Sequence, residues 1–162
     1  MSAKILDQDR LAAIADSLRA QGRKLVLTNG CFDLLHTGHV RYLQAARALG
    51  DALAVALNGD DSVRALKGDG RPLNPESDRA EVIAALACVD YAVIFPEMRV
   101  TSLIEKVRPS IYVKGGDYTP STLDAGERAA LEKVGAEIQI LPFEPGHSTS
   151  GLVERIRKLP TG

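Results

Sequence analysis

His36 and His39 stand three residues apart across Gly38, in a chain of 162 residues that holds only three histidines. An apolar, strand-like run, Lys24–Thr28, precedes them, and a helix-like run opens at Val40. A strand, a glycine-bearing turn and a helix N-terminus make an anion site, because unpaired N–H groups and the positive end of the helix dipole point at the ligand. Two imidazoles at its mouth can both donate to one phosphate. The turn itself is Asn29, Gly30, Cys31, Phe32 and Asp33. Gly30 and Gly38 permit close backbone approach. Two other readings of the histidines stay open: a metal pair, since i, i+3 spacing supports ligation although no third ligand stands out, and plain core residues. Asp33 can order the loop, hold a histidine or meet Mg²⁺.

Chemistry at a phosphate bound there needs stabilisation of the negative charge that spreads over the attacked group, and positioning supplies most of the rest. A phosphate nucleophile, with its second pKa about 6, arrives ionised near neutral pH. No general base is then required, which suits a chain without a Ser-His-Asp set or an acid pair. Lys114 opens a Lys-Gly-Gly-Asp segment with Gly116 and Asp117, and a lysine there is a point charge for phosphate or simply solvated. Arg71, between Gly70 and Pro72, reads as a bidentate phosphate clamp or as a surface arginine. Lys67 shares that loop. Arg79 starts a helix, where the dipole disfavours a positive charge, which hints at a ligand. Ser148, Thr149 and Ser150 precede the last helix, where one hydroxyl caps and another reaches a triphosphate. Cys31 has no histidine next to it in sequence and is not read as a nucleophile.

These residues need a frame. Strand-like runs fall at Lys24–Thr28, Leu53–Leu57, Tyr91–Phe95, Ile111–Lys114 and Glu137–Leu141, the last alternating like an edge strand. Helical stripes lie between and around them: Leu11, Ile14, Ala15 and Leu18; Tyr42, Leu43, Ala46 and Leu49; Val82, Ile83, Leu86 and Ala87; Val100, Leu103, Ile104 and Val107; Leu152, Val153, Ile156 and Leu159. Strands alternating with helices predict an α/β fold, a Rossmann-like doubly wound sheet of about five parallel strands with flanking helices. One domain over residues 1–162 is expected, with an N-terminal helix within 1–22 and the core over 23–160. The polar clusters after Thr28, Leu57, Lys114 and Leu141 all follow strand carboxyl ends, where open sheets bind ligands.

Hydrophobic content of 45 % and charged content of 25 % are ordinary for a globular chain. A net charge of −1 offers no basic field, so neither a nucleic acid nor an anionic membrane is an expected partner. The apolar runs fall far short of the roughly 20 residues that span a bilayer, and charges interrupt the N-terminus where a signal peptide is apolar. A cytoplasmic location is the expectation. Two cysteines, Cys31 and Cys88, make no disulfide or metal framework.

The run His36-Thr-Gly-His39, with Gly30-Cys-Phe-Asp33 before it, resembles the H-x-G-H and G-x-F-D forms of the cytidylyltransferase-like nucleotidyltransferases. Lys67-Gly, Gly70-Arg-Pro72, Tyr112-Val-Lys-Gly-Gly-Asp117 and His147-Ser-Thr-Ser150 are similar to one branch, the D-glycero-β-D-manno-heptose 1-phosphate adenylyltransferases. The likeness runs from about Gly22 to about Pro160. It implies ATP, accompanied by Mg²⁺, and a sugar 1-phosphate as substrates, with ADP-heptose for lipopolysaccharide and pyrophosphate as products. It implies a phosphate contact from Lys114 and a nucleotide pocket bordered by Gly116 and Asp117; on the residue chemistry, His36 and His39 are expected to stabilise the transition state, and Arg71 with the hydroxyls of Ser148 and Thr149 to hold phosphates. Bifunctional members of the family carry a sugar kinase as well; a chain of this length is expected to rely on a separate upstream heptose kinase and phosphatase. A homo-oligomer stays open. The alternatives are another member of the superfamily, such as a glycerol-3-phosphate cytidylyltransferase, and a non-catalytic nucleotide-binding domain.

Overall fold

The computed structural model describes residues 2–116, 118–142 and 144–162. Along the chain run β1 (Ile5–Leu6), α1 (Gln8–Ala20), β2 (Leu25–Gly30), α2 (Thr37–Arg47), β3 (Ala52–Asn58), α3 (Asp60–Lys67) and α4 (Glu76–Ala84). There follow β4 (Tyr91–Phe95), α5 (Thr101–Val107), β5 (Ile111–Gly115), α6 (Ala125–Val134), β6 (Glu137–Leu141) and α7 (Thr149–Arg157). The strands form one parallel sheet in the order β1-β4-β3-β2-β5-β6. Strand order reverses between β2 and β5, which makes a crevice beyond their carboxyl ends.

The period-2 pattern of the strands sorts the core into two layers. Ala52, Ala54 and Ala56 of β3, with Leu25 and Leu27 of β2, face the layer built on Leu11, Leu18, Leu103, Ile104 and Leu131. Leu53, Val55 and Leu57, with Val26, face Leu43, Ala46, Ile83 and Ala84. Every residue of β3 is buried, as a strand covered on both faces requires. Helix α1 starts where Asp7 accepts from Arg10 N at 2.7 Å.

The doubly wound parallel sheet is as expected; one strand adds to it, and two helical stripes need correction. The sheet has a sixth strand, because the N-terminal segment adds Ile5 and Leu6 beside Ala92 and Val93 of β4; two residues are too few to show a period. On α4 the inward stripe is Arg79, Ala80, Ile83 and Ala84, while Val82 is exposed and Leu86 and Ala87 lie past the helix end. The buried guanidinium of Arg79 takes the inward place that the apolar pattern had given to Val82. On α7 no described residue is buried and Ile156 is exposed, as is Leu159 beyond the helix end.

Candidate active site

The turn after β2 is built around one aromatic wedge. Phe32 adopts a left-handed backbone, φ 49°, and is buried. Its ring lies so close to Gly30 that a Cβ there would sit 2.9 Å from Phe32 Cε2. The same ring meets His39 edge-on at 5.6 Å. Gly38 is needed for a similar reason: a Cβ would come within 2.9 Å of the His36 imidazole and 3.0 Å of His147 Cβ. All three histidines therefore gather in one place, with His36 and His39 centroids 3.9 Å apart and His147 stacked on His36 at 6.2 Å.

At the start of α2 the His36 N–H donates to His39 Nδ1 at 3.3 Å. That bond leaves Nε2 of His39 as the proton-bearing nitrogen of the neutral ring. Burial, then the nearby charge of His36, pushes His39 down to about 4. Burial, then His147, also lowers His36. Both rings are neutral at pH 7. His36 Nδ1 is buried with no hydrogen-bond partner among the described residues.

Asp33 orders the loop, the first of its three sequence readings. Its carboxylate accepts from Leu73 N and Arg71 Nε, each at 2.8 Å, and from Asn74 N at 2.9 Å. Burial pushes this carboxyl up, but those N–H groups and the Arg71 charge outweigh it and hold it below the ordinary range. Arg71 therefore cannot present its whole fork to a ligand: Nε faces Asp33, and only the remaining N–H groups can reach outward. Arg79 is further from expectation. It is 1 % exposed, and its guanidinium donates to the carbonyls of Asn74, Cys31 and Asn58 and to Asp60 Oδ1, at 2.7–3.0 Å. It ties the ends of β2 and β3 to the loop before α4 rather than meeting a ligand.

Two cavities flank the turn, and Asn29, Gly30, Cys31, Phe32, His39 and Lys114 line both. The first, about 370 Å³, adds Gly38, Tyr42, Ala45, Leu141, Pro142 and His147, with the Arg41–Glu144 ion pair at its rim. The second, about 460 Å³, adds Asp33, Lys67, Arg71, Arg99, Glu127 and Thr149, among others. His36 lines neither; it backs His39. Ser148 is the N-cap of α7 and accepts from Gly151 N at 3.0 Å. Ser150 sits with Arg71 in a separate cleft. Gly116, φ 95°, donates its N–H to Leu141 O at 2.9 Å and turns the chain away from β5. Asp117 lies outside the described residues.

Buried partners hold the shared groups. Tyr112 OH donates to Asn29 Oδ1 at 2.6 Å, which leaves the Asn29 amide N–H groups for a ligand. Lys114 Nζ lies 3.5 Å from Glu127 Oε2 and 5.2 Å from the Tyr118 ring centre. Burial raises the Cys31 thiol despite Lys67, Arg79 and Arg71 nearby, so it is protonated at neutral pH. Glu127, Arg41 and Glu144 escaped the sequence reading because each sits on an ordinary helix face or loop with no motif around it. Mg²⁺ keeps several waters and takes one or two carboxylates plus substrate phosphates. Among the described residues no group of three acidic, histidine or cysteine side chains is placed to hold a metal ion. Asp33 is largely engaged by three protein N–H groups, so the ion fits here as part of a nucleotide substrate, held by its phosphates.

A parallel sheet with an anion-ready turn and neutral imidazoles at its switch point is built to handle a nucleotide's phosphates. The cytidylyltransferase-like family model matches residues 27–155. A bifunctional protein HldE from Geotalea uraniireducens (strain Rf4) is 51 % identical over 155 residues, covering 96 % of this chain and 31 % of that protein. One from Alkalilimnicola ehrlichii is 49 % identical over 156 residues, covering 96 % and 32 %. The chain thus spans only about a third of the length of these relatives. The solved lipopolysaccharide core biosynthesis protein from Thermoplasma volcanium GSS1 is 30 % identical, with TM-score 0.63, over 76 % of this chain and 98 % of that one. Pantoate-β-alanine ligase from Francisella tularensis, at 15 % identity and TM-score 0.59 over 99 % of this chain and 74 % of its own, shares the fold. The chain belongs to the cytidylyltransferase-like family. No helix among the described residues is long and apolar enough to cross a membrane.

Proposed function

We propose that the chain acts as one cytoplasmic nucleotidyltransferase domain that joins ATP to D-glycero-β-D-manno-heptose 1-phosphate. A phosphate oxygen of the sugar attacks the α-phosphorus in line. The bond from that phosphorus to the bridging oxygen breaks, giving ADP-heptose for lipopolysaccharide core synthesis and pyrophosphate. The observation that carries this reading is the pair of cavities meeting at Gly30, His39 and Lys114. The first has an apolar wall of Tyr42, Ala45, Leu141 and Pro142, suited to a base. The second gathers Lys67, Arg71, Arg99 and Lys114, suited to phosphate and a polar sugar. Transfer takes place where they meet.

His39, neutral, donates from Nε2 to the oxygens on which charge grows; His36 fixes its ring and backbone. Lys114, Lys67 and the outward N–H groups of Arg71 hold phosphates, and the turn N–H groups from Gly30 to Asp33, with Gly38, border the same phosphates. Thr149 completes the triphosphate site, and Gly116 and Asp117 border the nucleotide. ATP arrives with Mg²⁺, which offsets triphosphate charge. The substrate is supplied by a heptose kinase and a phosphatase acting upstream. The test is a matrix of the common nucleoside triphosphates against several sugar 1-phosphates, read by pyrophosphate release and product mass. ATP with heptose 1-phosphate should stand out. Preference for CTP with glycerol 3-phosphate, or no turnover in any pair, would refute the proposal.

A further inference from the structure

Glu127 is a buried acid that the reaction as described does not use. It is 4 % exposed, in the first turn of α6, and it lines the second cavity. Burying a carboxylate is costly unless its oxygens are satisfied. The helix N-terminus eases part of that cost, and Asp124 caps the helix by accepting from Gly126 N at 3.0 Å and Glu127 N at 3.1 Å. The nearest cation among the described residues is Lys114 Nζ, at 3.5 Å, longer than a good charged hydrogen bond. Lys114 also lies over Tyr118 and lines both cavities.

Asp33 offers the contrast. It is the other carboxylate on that cavity, and three protein N–H groups already take most of its acceptor sites. A carboxylate has about four acceptor sites and no donor when ionised. The cavity is therefore rich in cations that suit a phosphate, and Glu127, with the Lys114 ammonium at 3.5 Å and the Tyr112 hydroxyl beside it, retains more open acceptor capacity toward it than Asp33. The groups that match such an acceptor are hydroxyls.

We propose that Glu127 reads the acceptor sugar: its carboxylate accepts hydrogen bonds from one or two sugar hydroxyls and so selects a polyhydroxylated phosphate. This rests on the proposed sugar-phosphate reaction. A site that hydrogen-bonds a substrate hydroxyl rejects the analogue lacking it, because its own buried polar group is then left unpaired. Lys114, 3.5 Å away, balances the charge of the carboxylate in the empty pocket.

The experiment uses D-glycero-β-D-manno-heptose 1-phosphate and its monodeoxy analogues with the whole chain, E127Q and E127A, each checked by thermal melting. A hydrogen bond to a charged group converts to about tenfold to a hundredfold in kcat/KM. With the unsubstituted chain, at least one monodeoxy analogue should lose that much. In E127Q the KM for heptose 1-phosphate should rise while the KM for ATP holds, and the penalty for that analogue should shrink toward none. If no analogue is penalised in the unsubstituted chain, the assignment falls whatever the variants do. If E127Q keeps the full analogue penalty, Glu127 acts only through Lys114 or through the fold, and the assignment again falls. Absence of turnover with every sugar 1-phosphate would overturn the parent reaction, a result distinct from either of these.

Discussion

Acid should destabilise this chain over a window set by His39. Burial pushes that ring down to about 4, against 6.5 for a free imidazole. Between those values the unfolded chain binds a proton that the folded chain refuses, so stability rises with pH there and is lost as pH falls. Two binding polynomials give the size: the contribution is near zero at pH 7 and amounts to a loss of about 2 kcal/mol at pH 5. For a chain of this length that is roughly 4–8 °C in Tm. His36, also lowered, adds in the same direction. Asp33 stays out of the window: its depressed carboxyl contributes stability above the ordinary carboxylate range, lost only as pH falls through its lower folded value. The assay is urea unfolding at pH 7, 6 and 5 on the unsubstituted chain and on His39→Asn, whose Oδ1 can still accept from the His36 N–H. The variant should lose most of the slope. MgATP should flatten it in the unsubstituted chain, because phosphate charge raises the imidazole. An equal slope in chain and variant would refute the burial argument.

The same His39→Asn variant should lose about 10²–10³ in kcat, with a much smaller change in ATP KM, since its donor acts chiefly as charge develops; an unchanged kcat would remove it from the transition state. Arg79→Met should cost about 3–5 kcal/mol in urea unfolding, the penalty of breaking a buried ion pair, and Arg79→Lys should not restore it, because one ammonium cannot span three carbonyls and Asp60. Cys31→Ser should stay active, and intact mass after incubation with ATP alone should show no nucleotidyl adduct. Ser148→Ala should lower stability by about 1 kcal/mol as a lost cap and leave ATP KM in place, whereas Thr149→Ala should raise that KM with little change in Tm; a Thr149 variant with unchanged kinetics would remove the hydroxyl from the site.

The parallel sheet was legible because its five main strands are apolar runs bounded by glycine, proline or polar residues, and because chirality leaves few ways to connect them. The turn was legible too: Gly30, Gly38 and the two histidines are short-range features, and their spacing alone puts them at one strand end. What escaped is what depends on a long-range partner. Nothing near Ile5 and Leu6 announces a strand, since only β4 makes them one. The apolar stripe of α7 reads as inward by period, yet periodicity records a sidedness and not whether anything covers it.

The acids show the same limit more sharply. Asp33 and Glu127 are both buried, both line the second cavity and both face a cation. In sequence, Asp33 sits in a motif and Glu127 in an ordinary helix, so attention falls on the first. The structure reverses the emphasis. Asp33 spends its oxygens on Leu73, Asn74 and Arg71, forty residues or so away in the chain, and so holds the loop that carries Arg71 against the turn. Glu127 has Lys114 at 3.5 Å and the buried Tyr112 hydroxyl, itself turned to Asn29, beside it, and keeps acceptor capacity facing the cavity. A residue's type fixes how many hydrogen bonds it can make; the fold decides how many are already taken, and what is left over is what a substrate can find.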